Sequence, residues 1–123
     1  MAKRTYMYEN VEITRIIDGD TFKAKIDFGF GIFGNFTFRL HDIDTPETYR
    51  PSCEAELRHG ISATNFLRNL VKNKLVKLES LKLAIYGRYE CNLWLDGIDV
   101  VQLLKDNGYE KLDSYTINEE AVS

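Results

Sequence analysis

The 123-residue sequence predicts a mainly β chain: a five-stranded Greek-key barrel flanked by two or three α-helices. Three observations predict it. The first forty residues keep a strand rhythm broken only at Asp-Gly and Gly-rich turns. One later stretch repeats its apolar residues at helical spacing, and short β-rich runs resume beyond it. Residues 11–112 are expected to form a single domain, preceded by an extension of residues 1–10 and followed by a tail, 113–123, that has little pattern and frays.

From Val11 to Ile17 the residues are mostly β-branched, as in a strand, and the run stops at Asp18-Gly19-Asp20, a turn signal. From Thr21, Phe22, Ala24, Ile26 and Phe28 alternate with Lys23, Lys25 and Asp27, so one face packs inward and the other meets water. Gly29-Phe-Gly-Ile-Phe-Gly34 matches the dinucleotide-binding fingerprint, but the next residues alternate like a strand where that motif requires a helix. A hairpin loop is the expectation, with Phe30, Ile32 and Phe33 clasping the barrel edge or meeting bases. In the third strand Phe36, Phe38 and Leu40 share one face, so Thr37, Arg39 and His41 point the other way.

After Pro46 the polar segment through Gly60 reads as part loop, and where the helix starts within it is left open. From Ile61, Phe66, Leu67, Leu70 and Val71 recur at helical spacing to about Asn73. Leu75, Val76 and Leu78 suggest a fourth strand, and Tyr89 to Leu95 a fifth that ends at the turn Asp96-Gly97. Asp99 and Gln102 have capping-box spacing, with Val100, Leu103 and Leu104 on a short helix closed by Gly108. Three strands, a helix and two more strands are the element order of an oligonucleotide-binding (OB) barrel.

The net charge of −3 argues against indiscriminate binding to nucleic acid, yet charge is uneven. Between Arg58 and Arg88 stand Arg68, Lys72, Lys74, Lys77 and Lys82 with Glu79 as the only acid, whereas the tail carries Asp113, Glu119 and Glu120. No apolar run has signal-peptide or membrane-span character, so no membrane partner and a cytoplasmic location are expected. Cys53 and Cys91 are expected as free thiols. A monomer is the default state.

Two strand ends break into turns at carboxylates, Asp20 and Asp44, with Arg39 close by in sequence. Carboxylates supply oxygen ligands to a hard cation such as Ca²⁺ or Mg²⁺, and a guanidinium offers a planar fork of donors to a phosphate. Their convergence outlines a site that cleaves phosphodiesters.

Ile17-Asp-Gly-Asp-Thr21, then Phe38-Arg-Leu40 with Ile43-Asp-Thr-Pro-Glu47, then Tyr86-Gly-Arg88 and Leu95-Asp-Gly97 resemble the staphylococcal nuclease (thermonuclease) family in order and approximate spacing. The resemblance spans roughly Val11 to Leu112. It implies an OB barrel and a Ca²⁺-dependent phosphodiesterase that cuts DNA and RNA and leaves 3′-phosphate ends, with Mg²⁺ or Mn²⁺ as alternative ions. By position, Asp20 and Asp44 would be carboxylate ligands of the ion and Thr45 a carbonyl ligand. Arg39 and Arg88 would bind phosphate, and Glu47 would orient or deprotonate the attacking water. Tyr86 and Tyr115 would meet the nucleotide, and Lys72 and Lys74 are candidates to track its backbone. The chain departs from the family at Ala84 and Ile85, where an acidic and a basic residue are usual. A single Tyr115 flanked by Ser114 and Thr116 stands where the family has a tyrosine pair, and the chain ends before the type member's long C-terminal helix. Small phage- or bacterium-encoded nucleases fit this size by analogy.

Blander readings apply to each residue alone. Asp18-Gly-Asp20 is a common hairpin turn, and isolated arginines are usually solvated or paired with a surface acid. An EF-hand is excluded because Phe22 and Pro46 fall where oxygen ligands are needed. His41 and His59 lack zinc-pair spacing and read as structural, and Gly60-Ile-Ser62 lacks the closing glycine of a nucleophile elbow. The main rival function is a non-catalytic OB module that stacks single strands on Phe33, Tyr49 or Tyr86. A protein-interaction domain ranks last, because every acid that the family's chemistry uses is present.

Overall fold

The computed structural model describes residues 5–83 and 88–115. Five strands close on themselves: β1 (Tyr6–Asp18), β2 (Thr21–Gly29), β3 (Ile32–Leu40), β4 (Leu75–Leu83) and β5 (Tyr89–Leu95). Helix α1 (Glu54–Val71) joins β3 to β4, and a two-residue β6 (Ile98–Asp99) leads into α2 (Val100–Asp106). The sheet order is β3-β2-β1-β4-β5-β6, and a parallel pairing of β3 with β5 completes the barrel. This is the expected OB-like architecture with flanking helices.

Strand β1 is long enough to serve two neighbours. Tyr6–Glu12 pairs with β4 and Glu12–Asp18 with β2, and a register shift between Tyr8 and Val11 coincides with Asn10 at φ 55°. Such an irregularity bends a strand sharply enough to turn a barrel corner. The strand therefore starts at Tyr6 rather than Val11, and Tyr6–Asn10 are part of the sheet.

The glycine-rich stretch is a hairpin, but a tighter one than the loop expected over residues 29–34. Only Phe30 and Gly31 leave the ladder, at φ 56° and 74°, and β3 starts at Ile32. Positive φ at both central residues gives the turn the right-handed twist of its strands.

Inward residues of the five barrel strands fill one core, among them Val11, Phe22, Ile26, Phe38, Leu40, Leu78 and Leu93. Leu67 and Val71 of α1 and Val100 and Leu104 of α2 close its ends. Helix α1 begins at Glu54, inside the polar segment where the sequence leaves its start open. The polar stretch was hard to read because Glu56 and Gly60, both buried, serve the preceding loop instead of forming an apolar stripe. The expected cap of α2 is half realised. Asp99 Oδ1 accepts from the backbone N–H of Val101 and Gln102, but Gln102 bonds Asp106 instead of reaching back. Both cysteines are free, and burial pushes the Cys91 thiol well up. No helix among the described residues is long and apolar enough to cross a membrane.

Candidate functional site

Two chain reversals meet at one end of the barrel. The β1–β2 turn, Asp18-Gly19-Asp20, is tight because Asp18 pairs directly with Thr21. Across the next ladder Thr21 faces Arg39, which sets the guanidinium beside the turn. The Leu40 N–H then donates to the Asp20 carbonyl at 2.8 Å and the His41 N–H to the Cys91 carbonyl at 2.9 Å. With Asp42 at φ 65° and Ile43 buried, the chain leaves the sheet and carries Asp44, Thr45 and Glu47 back over the turn.

Asp20 is 6% exposed and fully engaged. Its Oδ1 accepts from the Thr21 hydroxyl at 2.9 Å, and its Oδ2 accepts from the Thr45 N–H at 3.1 Å and from Arg39 Nη2 at 3.5 Å. The same Nη2 lies 2.9 Å from Asp44 Oδ1. A single cationic nitrogen thus touches both expected ligand carboxylates. The Thr45 hydroxyl is buried and has no hydrogen-bond partner among the described residues.

The sequence reading missed a third aspartate. Asp18 accepts a hydrogen bond from the Thr48 hydroxyl and is held above its ordinary pKa by burial. The Thr48 bond lowers it, the charge of Asp20 raises it and that of Arg88 lowers it. Arg88 therefore stands within electrostatic reach of Asp18. The parallel register explains why, since it sets Arg39 beside Glu90, two residues beyond Arg88. Glu47 is also held above its ordinary value, first by partial burial and then by Asp18, while Lys111 lowers it and Asp20 and Asp44 raise it further. Glu47 thus feels the charge of three aspartates and Asp18 that of Asp20, and such repulsion is what a bound cation or a shared proton relieves.

A second layer holds the loop. The Glu56 carboxylate, 1% exposed, accepts from the Glu47 N–H at 3.0 Å and the Ser52 N–H at 2.6 Å, and meets Lys111 Nζ at 3.3 Å. Burial would raise its pKa, but these donors together hold it down to about 2. The Lys111 N–H also donates to the Asp44 carbonyl at 2.7 Å. Gly60 lets α1 lie against this loop, since a Cβ there would come within 2.7 Å of the Pro46 carbonyl oxygen.

The structure thus brings together Asp20, Asp44, Thr45, Arg39, Glu47 and Arg88. Tyr86 lies outside the described residues. Lys72 and Lys74 are exposed at the far end of α1, away from the carboxylates. Tyr115, expected at the nucleotide, is 5% exposed, and its hydroxyl lies 2.8 Å from His59 Nδ1 and accepts from the Leu112 N–H at 3.0 Å. Its ring docks the C-terminal segment and offers no face to a base, which corrects that expectation. Asp18, Thr48, Glu56 and Lys111 escaped the sequence reading. Asp18 looked like a turn residue, and the others gain meaning only through partners distant in the chain.

Among the described residues no group of three or more His, Cys, Asp or Glu gathers closely enough to hold a metal by side chains alone. A hard cation with carbonyl and water ligands requires fewer, and the residues fit one. Asp20 and Asp44 already converge on one cationic point, the Arg39 nitrogen, and the Thr45 backbone lies against Asp20.

A family model for the staphylococcal nuclease homologue domain matches residues 37–121. That span contains Arg39, Asp44, Thr45, Glu47 and Arg88, while Asp18 and Asp20 precede it. No curated protein matches the chain.

Proposed function

Because the chain belongs to the staphylococcal nuclease family, we propose that it is a metal-dependent nuclease hydrolysing phosphodiester bonds of DNA, RNA or both, with Ca²⁺ as its ion and 3′-phosphate ends as its product. One observation carries this reading. Four carboxyl groups, Asp18, Asp20, Asp44 and Glu47, lie together beside Arg39, and Asp18 is within electrostatic reach of Arg88.

Asp20, Asp44 and the Thr45 carbonyl would hold the ion, which supplies positive charge to a phosphate oxygen when bound. Arg39 would offer its planar donors to the same phosphate, and Arg88 would add a second cation. Charge that grows on the phosphate in the transition state is where such donors act most strongly, and losing one costs about 10²–10³ in rate. Glu47 sits on the same loop as Asp44 with a raised pKa, suited to accept a proton from a water held opposite the leaving oxygen.

The test is digestion of single- and double-stranded DNA and RNA with Ca²⁺, Mg²⁺, Mn²⁺ or EDTA side by side. Cleavage is expected with Ca²⁺, none with chelator, and at least a roughly hundredfold loss in Arg39→Ala. Retained binding with no cleavage under any ion would leave a binding module and reject the nuclease.

A further inference from the structure

The outer face of α1 carries a second feature, away from the carboxylates. A groove of about 1000 Å³ lies between β1 and the end of α1, and its walls include Arg15, Arg68, Lys72 and Lys74 against one acid, Glu12. On the neighbouring strand Lys23 stands directly opposite Arg15, so the two side chains share a face. Arg15, Lys23, Lys72 and Lys74 are exposed and form no ion pair among the described residues, and Arg68 is held only by Asn65, at 2.7 Å. Five cations thus gather without carboxylate partners in a chain of net charge −3. Clustered like charge is unfavourable unless a polyanion neutralises it.

The groove connects with the candidate site. A smaller one of about 200 Å³ is lined by Thr48, Ile61, Thr64, Asn65 and Arg68. Thr48 is the residue that bonds Asp18, and Arg68 belongs to both grooves. Counted from Ile61, Thr64, Asn65, Arg68 and Lys72 fall at the third, fourth, seventh and eleventh positions beyond it, so the five lie along one stripe of the helix. From Ile61 to Lys72 the stripe runs about 16 Å, close to five nucleotides at the roughly 3.4 Å rise of one strand.

We infer that this stripe is a track for the phosphate backbone of a nucleic-acid strand whose scissile bond lies at the carboxylate pocket. The inference rests on the nuclease reading for the position of the cut, and on the five gathered cations alone for binding. The track lacks aromatic rings, so it grips phosphates without reading sequence.

The experiment is fluorescence anisotropy of labelled 12-residue single-stranded DNA and RNA in EDTA over a salt series. It compares the wild-type chain with the Arg15→Gln/Arg68→Gln/Lys72→Gln variant, and pairs this with Ca²⁺-dependent cleavage of the 12-mers and of a dinucleotide. Removing three phosphate contacts should flatten the slope of log K against log salt by about two and weaken binding at least tenfold at low salt. Cleavage of the 12-mers should then fall through KM by a larger factor than cleavage of the dinucleotide, which spans too little backbone to engage Arg15, Arg68 and Lys72 together. Unchanged affinity and slope in the variant, or no binding by the wild-type chain, would overturn the track. Binding that the variant loses, in a wild-type chain that cuts nothing, would sustain the track and reject the nuclease.

Discussion

At the scale of single residues, the site is a set of charges held where water alone would not leave them. Asp18 and Glu47 both sit above their ordinary pKa, each first through burial and then through neighbouring carboxylates. A carboxyl whose folded pKa is raised binds more protons in the fold than in the unfolded chain, so its ionisation at neutral pH subtracts from stability. Asp18→Asn should therefore raise the melting temperature of the metal-free protein by roughly 2–5 °C while weakening any response to Ca²⁺. A fall in Tm under calorimetry at pH 7 would show that repulsion is not the dominant interaction of Asp18. For Glu47 the base must be ionised to act, so kcat/KM should rise with pH through a midpoint above the ordinary 4.5. Glu47→Gln should abolish that limb and lower the rate by about 10²–10⁴.

At the scale of elements, α1 and the loop before it are one device. Glu56 at the start of the helix takes donors from Glu47, Ser52 and Lys111, so the loop carrying the candidate base hangs on a buried carboxylate. Its folded pKa of about 2 lies below the unfolded value near 4.5. This contribution to stability is fully present above 4.5 and fades as pH falls toward 2. Glu56→Ala leaves two backbone N–H groups and a lysine without their acceptor and should cost about 3 kcal/mol, measured by urea denaturation at pH 7. It should also flatten the acid limb of the stability profile. Gly60→Ala forces a methyl against the Pro46 and Glu47 carbonyl oxygens and should cost about 1–3 kcal/mol, with the loop displaced. The apolar part of α1 was legible from Phe66, Leu67, Leu70 and Val71, because those residues repeat as a stripe. Its first two turns were not, because Glu56 and Gly60 answer to the loop, and no local pattern encodes a partner outside the helix.

At the scale of the whole molecule, the barrel was readable because strand alternation and turn residues are local signals. Phe22 to Phe28 alternate, and the fifth strand stops where Asp96 and Gly97 adopt φ 51° and 81°. Asp20, Asp44 and Arg39 were legible as a constellation for the same reason, since each stands at or beside a strand end. Lys111 and Tyr115 sit in a stretch without periodicity, and only the closed fold brings them to Asp44 and His59. If the carboxylate pocket holds Ca²⁺, the ion should stabilise the entire barrel, by about 2.7 kcal/mol at a hundredfold its Kd. A thermal shift on Ca²⁺ addition that disappears in Asp20→Asn checks this. The hydrogen bond from the Lys111 backbone to Asp44 also has a meaning in time. During synthesis the strands of the barrel leave the ribosome before this last stitch does, so a growing chain should have its sheet before its acidic turn is fastened. Released chains truncated after Gly108 should then show native-like circular dichroism yet be nicked by protease within residues 44–52, and equal resistance in truncated and full-length chains would remove the idea that the loop carrying Asp44 and Glu47 is the last part to be secured.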